Sequence, residues 1–166
     1  MQTIKYNDMA NQFLEQLPKG AFLTVQSGDK VNTMTIGWGS IGYIWKKPIM
    51  MVMVRYSRYT HELLAGADDF TVSLPLDNSM KAALALAGTK SGRDIDKFAE
   101  ANLTVQKAKI VKSPIIANCH LFYECKILYR QPMDSAALDN EVKQACYGDG
   151  DYHVLYYGEI VASYKK

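Results

Sequence analysis

IMMVMVRY, residues 49–56, is the stretch on which the fold turns. It opens with six consecutive apolar residues, a length matched only by AALALA at 82–87. A membrane helix needs ~20. A short continuous apolar run predicts a strand covered on both faces. Pro48 interrupts the chain just before it, and Thr60 to Leu64 reads as a short helix ending at Gly66.

The neighbours extend the pattern in both directions. Upstream, residues 30–45, rich in Thr, Ile and Gly, read as a second long strand or a hairpin. AFLTVQSG at 21–28 reads as a strand ending in a Gly-Asp turn. Before it, Met9, Phe13 and Leu17 repeat every four residues and predict a helix over 7–17. Asn7 or Asp8 is its cap, and Pro18 to Gly20 stop it. Downstream, DFTVSLP at 69–75 alternates as a strand. NSMKAALALAG at 78–88 reads as a helix, capped by Asn78 or Ser79 and stopped by Gly88. A short helix follows at 94–101, with Asp94 as its cap. Strands are expected at 103–111, 115–118, 119–131 and 152–164, with one helix at 134–146.

That is seven or eight strands, mostly joined by short turns, which favours antiparallel pairing. So many strands in a small domain usually close on themselves to remove their edges. The expected fold is mainly β, a small antiparallel barrel with short peripheral helices. A chain of 166 residues is expected to be one domain over 1–166. A domain of that size buries about 70% of the surface its unfolded chain exposes.

Nineteen Lys and Arg against seventeen Asp and Glu leave a net charge of +2. The basic residues are scattered, which argues against a nucleic-acid arm or an anionic-membrane patch. The N-terminus, MQTIKYNDMA, lacks the apolar core of a signal peptide. A soluble, cytoplasmic protein is expected. Cys119, Cys125 and Cys146 form no C-x-x-C pair and read as reduced, mostly buried thiols. No metal site is expected.

Some motifs fail on context. GWGSIG at 37–42 matches G-x-G-x-x-G, but Pro48 follows too soon for a helix to hold a pyrophosphate. GTKSG at 88–92 lacks the Walker spacing, and neither H-E-x-x-H nor G-x-S-x-G occurs.

Four segments can carry chemistry. In NTMTIGWG, 32–39, Gly37 and Gly39 interrupt strand-like sequence, through either a β-bulge or close approach of backbone to a flat ligand. RYSRYTHELL, 55–64, sets Arg55, Arg58, Ser57 and Thr60 at the start of a helix. This is either a phosphate cradle without a Walker loop or an ordinary N-cap with solvated arginines. SGRDIDKF, 91–98, is by itself a capped helix with surface charges. His153 in YHVLYYGEI is a lone strand histidine, structural or catalytic, and Gly158 and Glu159 are unusual in mid-strand.

In this order and spacing, the segments resemble the flavin reductase-like, FMN-binding split-barrel family, its flavoredoxin type above all. NTMTIGW at 32–38 is similar to its N-x-M-T-x-[SG]-W strand. KPIMMVMVRYSRYTHELL at 47–64 resembles its P-P-L-V strand followed by R-x-T-x-x-L. DDFTVSLP at 68–75 resembles the next strand, SGRDIDKF matches its S-G-R-D-x-D-K-F loop, and HVLYYGEI at 153–160 resembles its closing H-x-x-x-x-G-E-V.

The resemblance implies an antiparallel split β-barrel, a homodimer, and FMN near the subunit interface. The backbone of Met34, Thr35, Ile36, Gly37 and Trp38 would line the isoalloxazine. Arg55, Ser57, Arg58 and Thr60 would hold the ribityl phosphate. Ser91, Gly92 and Arg93, with Lys97, would close over the cofactor. Asn32 and Tyr59 fall within the same motifs and are counted as cofactor-binding. His153 would stand near the nicotinamide.

Three functions follow as expectations. The first is an FMN oxidoreductase in which NAD(P)H gives a hydride to flavin N5 and the electrons pass to a flavin, a ferric complex or a protein. The second is an electron carrier reduced by a protein partner, with Tyr43 and Trp45 covering the flavin face and blocking a nicotinamide. The third is a barrel that has lost its cofactor.

Overall fold

The structure is a computed structural model that describes residues 1–166. In chain order it contains β1 (Gln2–Thr3), α1 (Ala10–Gln16) with a 3-10 turn at Leu17–Lys19, β2 (Ala21–Ser27), β3 (Lys30–Ile36), β4 (Gly39–Ile44) and β5 (Lys47–Arg55). Then come α2 (Tyr59–Gly66), β6 (Asp69–Leu74), α3 (Lys81–Thr89), α4 (Lys97–Glu100), β7 (Val105–Gln106) and β8 (Ile115–Ile116). The chain ends with β9 (Leu121–Pro132), α5 (Asn140–Cys146) and β10 (His153–Lys165).

The main sheet is antiparallel and runs β3-β2-β6-β9-β10-β5-β4, with β1 paired to the far end of β10. β3 and β4 stand at opposite ends of this path. Yet only Gly37 and Trp38 separate them in sequence. The sheet must therefore curl until its two ends nearly meet, and the seam between them carries no ladder. This is a barrel split between β3 and β4.

Inside the curl lies a core of 22 buried residues, among them Phe13, Leu23, Val52, Phe70 and Tyr156. Each large apolar side chain buried there contributes about 1.5–3 kcal/mol. Helix α1 supplies Phe13, which meets Tyr123 edge-on at 5.8 Å. A second cluster of 12 lies outside the curl, where α3 and residues 103–119 cover Phe22, Phe122 and Tyr164.

Several local expectations are corrected. The 30–45 segment is not a hairpin, because β4 pairs with β5 and β3 with β2. Its second half, GWGSIG, continues into strand β4. β5 is not covered on both faces: Ile49, Met50, Val52 and Val54 are buried while Met51 and Met53 are half-buried. Met9 rather than Asn7 or Asp8 precedes α1, Met80 rather than Asn78 or Ser79 precedes α3, and α3 runs through Gly88 to Thr89. α4 is shorter than expected, and Asp96 rather than Asp94 caps it by accepting from the Phe98 and Ala99 amides. The 134–146 helix begins only at Asn140, with Asp139 accepting from Glu141 and Val142.

The 103–111 strand shrinks to Val105–Gln106. Beyond it two buried carboxylates replace the ladder. Glu124 accepts from the amides of Lys109, Ile110 and Val111, and Asp69 from those of Lys112 and Ser113. No helix is long and apolar enough to cross a membrane.

Candidate functional site

The site is built at the end of β5, where the apolar run gives way to RYSRYT. A turn from Arg55 O to Arg58 N, 3.1 Å, ends the strand and points α2 back across β3. A new helix leaves its first amides without intrahelical partners. Here the Tyr59 and Thr60 N–H groups have no acceptor within the chain. The Thr60 hydroxyl instead anchors the helix, accepting from Asn32 Nδ2 at 2.8 Å, with both residues buried.

Two cations face these amides. Arg58 Nη1 donates to Gly88 O at 2.8 Å, and Lys97 Nζ to Ala87 O at 2.8 Å and Thr33 O at 3.0 Å. Burial, then the charge of Arg58, pulls the Lys97 ammonium down to a pKa of about 8. Above them the 91–93 loop closes. Arg93 pairs with Glu62, donates to Ser57 O at 3.2 Å and lies over the Tyr59 ring at 5.4 Å. A Cβ on Gly92 would stand 2.1 Å from Asn32 Oδ1, so only glycine lets the loop approach this closely. The cavity these residues line has a volume of about 100 Å³.

A second cavity of about 170 Å³ continues from the first, sharing Met34 and Arg58 with it. Thr35 to Trp38, Met53, Arg55 and His153 complete its wall. β3 is an edge strand paired only with β2, so its outer N–H and C=O groups, apart from the Thr33 carbonyl that Lys97 occupies, are open to a polar rim. The Thr35 hydroxyl is spent on Leu84 O at 2.6 Å, which leaves its backbone to the cavity. Gly37 is the open step between β3 and β4. Gly39 has another cause, since a Cβ there would meet Met51 O at 2.6 Å. The bulges lie instead between β9 and β10: Leu128 of β9 is skipped opposite Tyr157/Gly158, and Val161 of β10 between Ile160 and Ala162, while Gly158 makes room for Phe70. Glu159 pairs with Lys47 at 2.7 Å.

His153 closes the far side. Its ring is tilted against Trp38 at 5.2 Å, and Nδ1 lies 2.7 Å from Tyr147 Oη. Burial, helped by the charge of Arg55 and then Arg58 against Asp151, drives its pKa down to about 4. The imidazole is neutral at physiological pH.

Every site residue expected from the sequence lines one of the two joined cavities: Asn32, Met34, Thr35, Ile36, Gly37, Trp38, Arg55, Ser57, Arg58, Tyr59, Thr60, Ser91, Gly92, Arg93, Lys97 and His153. Two of them are engaged with the loop that follows α5. Arg55 donates to Cys146 O (2.8 Å), Asp151 O (3.0 Å) and Asp149 Oδ1 (3.3 Å), and Ser57 Oγ donates to Asp151 Oδ2 at 2.6 Å. Both clamp the 146–151 loop rather than offer free donors to a phosphate.

Tyr43 and Trp45 do not cover this site. Trp45 packs on Tyr129 and Tyr157 at 6.0 and 6.1 Å, and neither lines the cavities. Sequence reasoning missed Met53, Thr89, Lys90 and Tyr147. The first three lie inside quoted stretches, Met53 in 47–64 and Thr89 and Lys90 in GTKSG, whereas Tyr147 is brought in only by the loop. A larger groove of about 440 Å³ under β1, between Ile4, Lys109 and Ile160, holds no arginine or histidine, so volume alone does not locate the chemistry.

The chain and its fold have relatives among known proteins. An uncharacterized protein of Archaeoglobus fulgidus is 29% identical over 155 residues, 93% of this chain and 77% of its own. Flavoredoxin from Methanosarcina acetivorans superposes with a TM-score of 0.69 at 24% identity, over 89% of this chain and 68% of that one. The FMN-binding protein from Thermus thermophilus, solved with bound 1-cyclohex-2-enone, gives 0.69 at 24%, over 88% and 69%. These likenesses show a shared fold, the FMN-binding split barrel. The model for the flavin reductase like domain matches residues 15–165, and the chain belongs to that family.

Proposed function

We propose that the protein is an FMN-binding redox protein that works as an NAD(P)H-dependent oxidoreductase. The observation that carries this reading is the joining of two unlike cavities. One end offers Arg58, Lys97 and the unpartnered Tyr59 and Thr60 amides, a donor set suited to a phosphate. The other offers an edge-strand backbone, Met34, Met53 and Trp38, suited to a flat ring with polar edges. A phosphorylated planar cofactor such as FMN fits both ends.

Arg58, Lys97 and the first turn of α2 would hold the phosphate, with the Ser91–Arg93 loop closing over it. Met34 to Trp38 would orient the ring. When bound, FMN supplies hydride and electron transfer, and the protein supplies position and electrostatics. Positive charge from Arg58 and Lys97 favours the anionic phosphate, and the neutral imidazole of His153 adds no charge beside the ring.

The alternative of a carrier screened by Tyr43 and Trp45 loses its motive, because neither residue lines the cavities. Trp38, 45% exposed, leaves the flat end open to a second planar molecule. We also read residues 1–166 as one domain acting as a cytoplasmic homodimer. One eight-stranded sheet that takes in both ends of the chain supports the first, and exposed Tyr43, Ile44 and Trp45 supply apolar surface for a second copy.

The test is an absorbance spectrum after soaking with FMN and desalting, followed by stopped-flow mixing with NADH and NADPH. Retained flavin that bleaches with either nicotinamide supports the reading. A colourless protein removes the cofactor assignment. Retained flavin that stays oxidised with both removes direct nicotinamide reduction.

A further inference from the structure

Arg55 stands at the mouth of a second network. From the end of β5 it crosses to the 146–151 loop, donating to Cys146 O, Asp151 O and Asp149. Its guanidinium also lies over the Tyr147 ring at 5.3 Å. Tyr152 stacks on Tyr147 at 5.0 Å, and Trp38 approaches it edge-on at 6.5 Å. Tyr147 is thus held on three sides, 4% exposed. This ring placement brings its hydroxyl to His153 Nδ1 at 2.7 Å.

The direction of that bond follows from donor counting. Tyr147 has one hydroxyl hydrogen, and Nδ1 of His153 is the only acceptor within reach. If Nδ1 carried the imidazole proton, the tyrosine hydrogen would have no partner and Nε2 would be a bare acceptor. With Tyr147 donating, the hydroxyl is satisfied and the imidazole proton sits on Nε2. Nε2 has no partner in the chain, yet Tyr123 Oη is the one buried side-chain polar atom left unpartnered. Nε2 therefore opens to accessible space, on a residue that lines the cavity beside Trp38.

We propose that Tyr147 is a positioning residue that fixes His153 in the Nε2–H form, so that the flat cavity presents one neutral N–H donor beside the Trp38 ring. Such a donor suits a planar molecule with an oxygen acceptor on its edge, such as a carboxamide or a ring carbonyl. It would reject a planar hydrocarbon of the same shape by leaving Nε2–H desolvated and unpaired. The use made of the donor rests on the flavin reading above, whereas the position of the proton does not.

The experiment is a long-range proton–nitrogen correlation spectrum of the 15N-labelled protein at pH 7, with and without FMN. The wild type is expected to show His153 with a bare Nδ1 and a protonated Nε2. A protonated Nδ1 in the wild type overturns the proposal outright, with no variant needed. Tyr147→Phe should lose the single-form pattern and average the two nitrogens. An unchanged pattern in that variant also overturns it. Flavin retention, read from the same samples by absorbance, reports separately on the cofactor assignment.

Discussion

Arg58 and Lys97 cap neighbouring carbonyls of one helix end, Gly88 O and Ala87 O, each at 2.8 Å. Neither of these two carbonyls has an amide partner of its own, and the negative end of the helix favours cations. Helix α3 thus fixes two positive charges at the wall of the small cavity. If that cavity takes the phosphate, Arg58→Ala should weaken FMN binding by about 1.5–3 kcal/mol and leave riboflavin binding nearly unchanged. Fluorescence titration with both flavins checks this. Equal losses would mean that Arg58 serves only the helix.

Lys97 makes phosphate binding pH-dependent. Burial leaves its ammonium with a pKa of about 8 in the free protein. Above that pH the free protein loses the charge that a phosphate would meet. FMN affinity should therefore fall as pH rises from 7 to 9, and riboflavin affinity should stay flat. In Lys97→Met the FMN profile should be weak and level across the same range. A wild-type profile as flat as that of the variant would remove Lys97 from the phosphate site.

Much of the fold was legible because apolar runs and turn residues mark strands directly. The strands at 21–27, 47–55, 69–74 and 153–165 lie where the pattern puts them. What was not legible was pairing. Nothing in NTMTIGWGSIGYI says that its halves sit at opposite ends of a sheet, because that depends on the whole path between them. The strand expected at 103–111 gives way at 109–113 for a related reason. Its amides are satisfied by Glu124 and Asp69, two carboxylates that belong to other strands. A glutamate inside the apolar stretch LFYEC was the available signal, since a carboxylate buried there must find donors.

The site divided the same way. Arg58, Thr60 and Gly92 lie in short motifs whose chemistry is local, and they converge as their residue types suggest. Arg55 and Ser57 carry equally suitable side chains. Their partners, however, come from residues 146–151, a loop with no pattern that ties it to them in sequence. Tyr147 was invisible for the same reason.

Gly92 offers a steric test of the loop. An alanine Cβ at this position would stand 2.1 Å from Asn32 Oδ1 and 3.0 Å from the Tyr59 ring. Either the loop lifts or Asn32 releases Thr60, and both spoil the cavity wall. Gly92→Ala should lower FMN affinity at least tenfold, about 1.4 kcal/mol. Gly42→Ala, with nothing within 4 Å, is the control and should bind as the wild type does. Equal affinity of the two variants would show that the loop does not close the site.

His153 ties stability to mild acid. In the unfolded chain its imidazole takes a proton near pH 6.5, and in the folded chain only near pH 4. Between those values the unfolded state binds more protons, so stability falls as pH falls. A separation of this size corresponds to roughly 3 kcal/mol lost between pH 7.5 and pH 4. Arg55 and Arg58 oppose the proton and Asp151 favours it, with burial outweighing all three. His153→Gln keeps an acceptor for Tyr147 but does not titrate. Denaturant unfolding of the two proteins at several pH values should give curves that diverge at neutral pH and converge on acidification, the wild type losing more. Curves that stay parallel from pH 7.5 to 4 would mean that His153 takes its proton as readily in the folded chain as in the unfolded one, and that the Trp38–Tyr147 pocket does not keep it neutral.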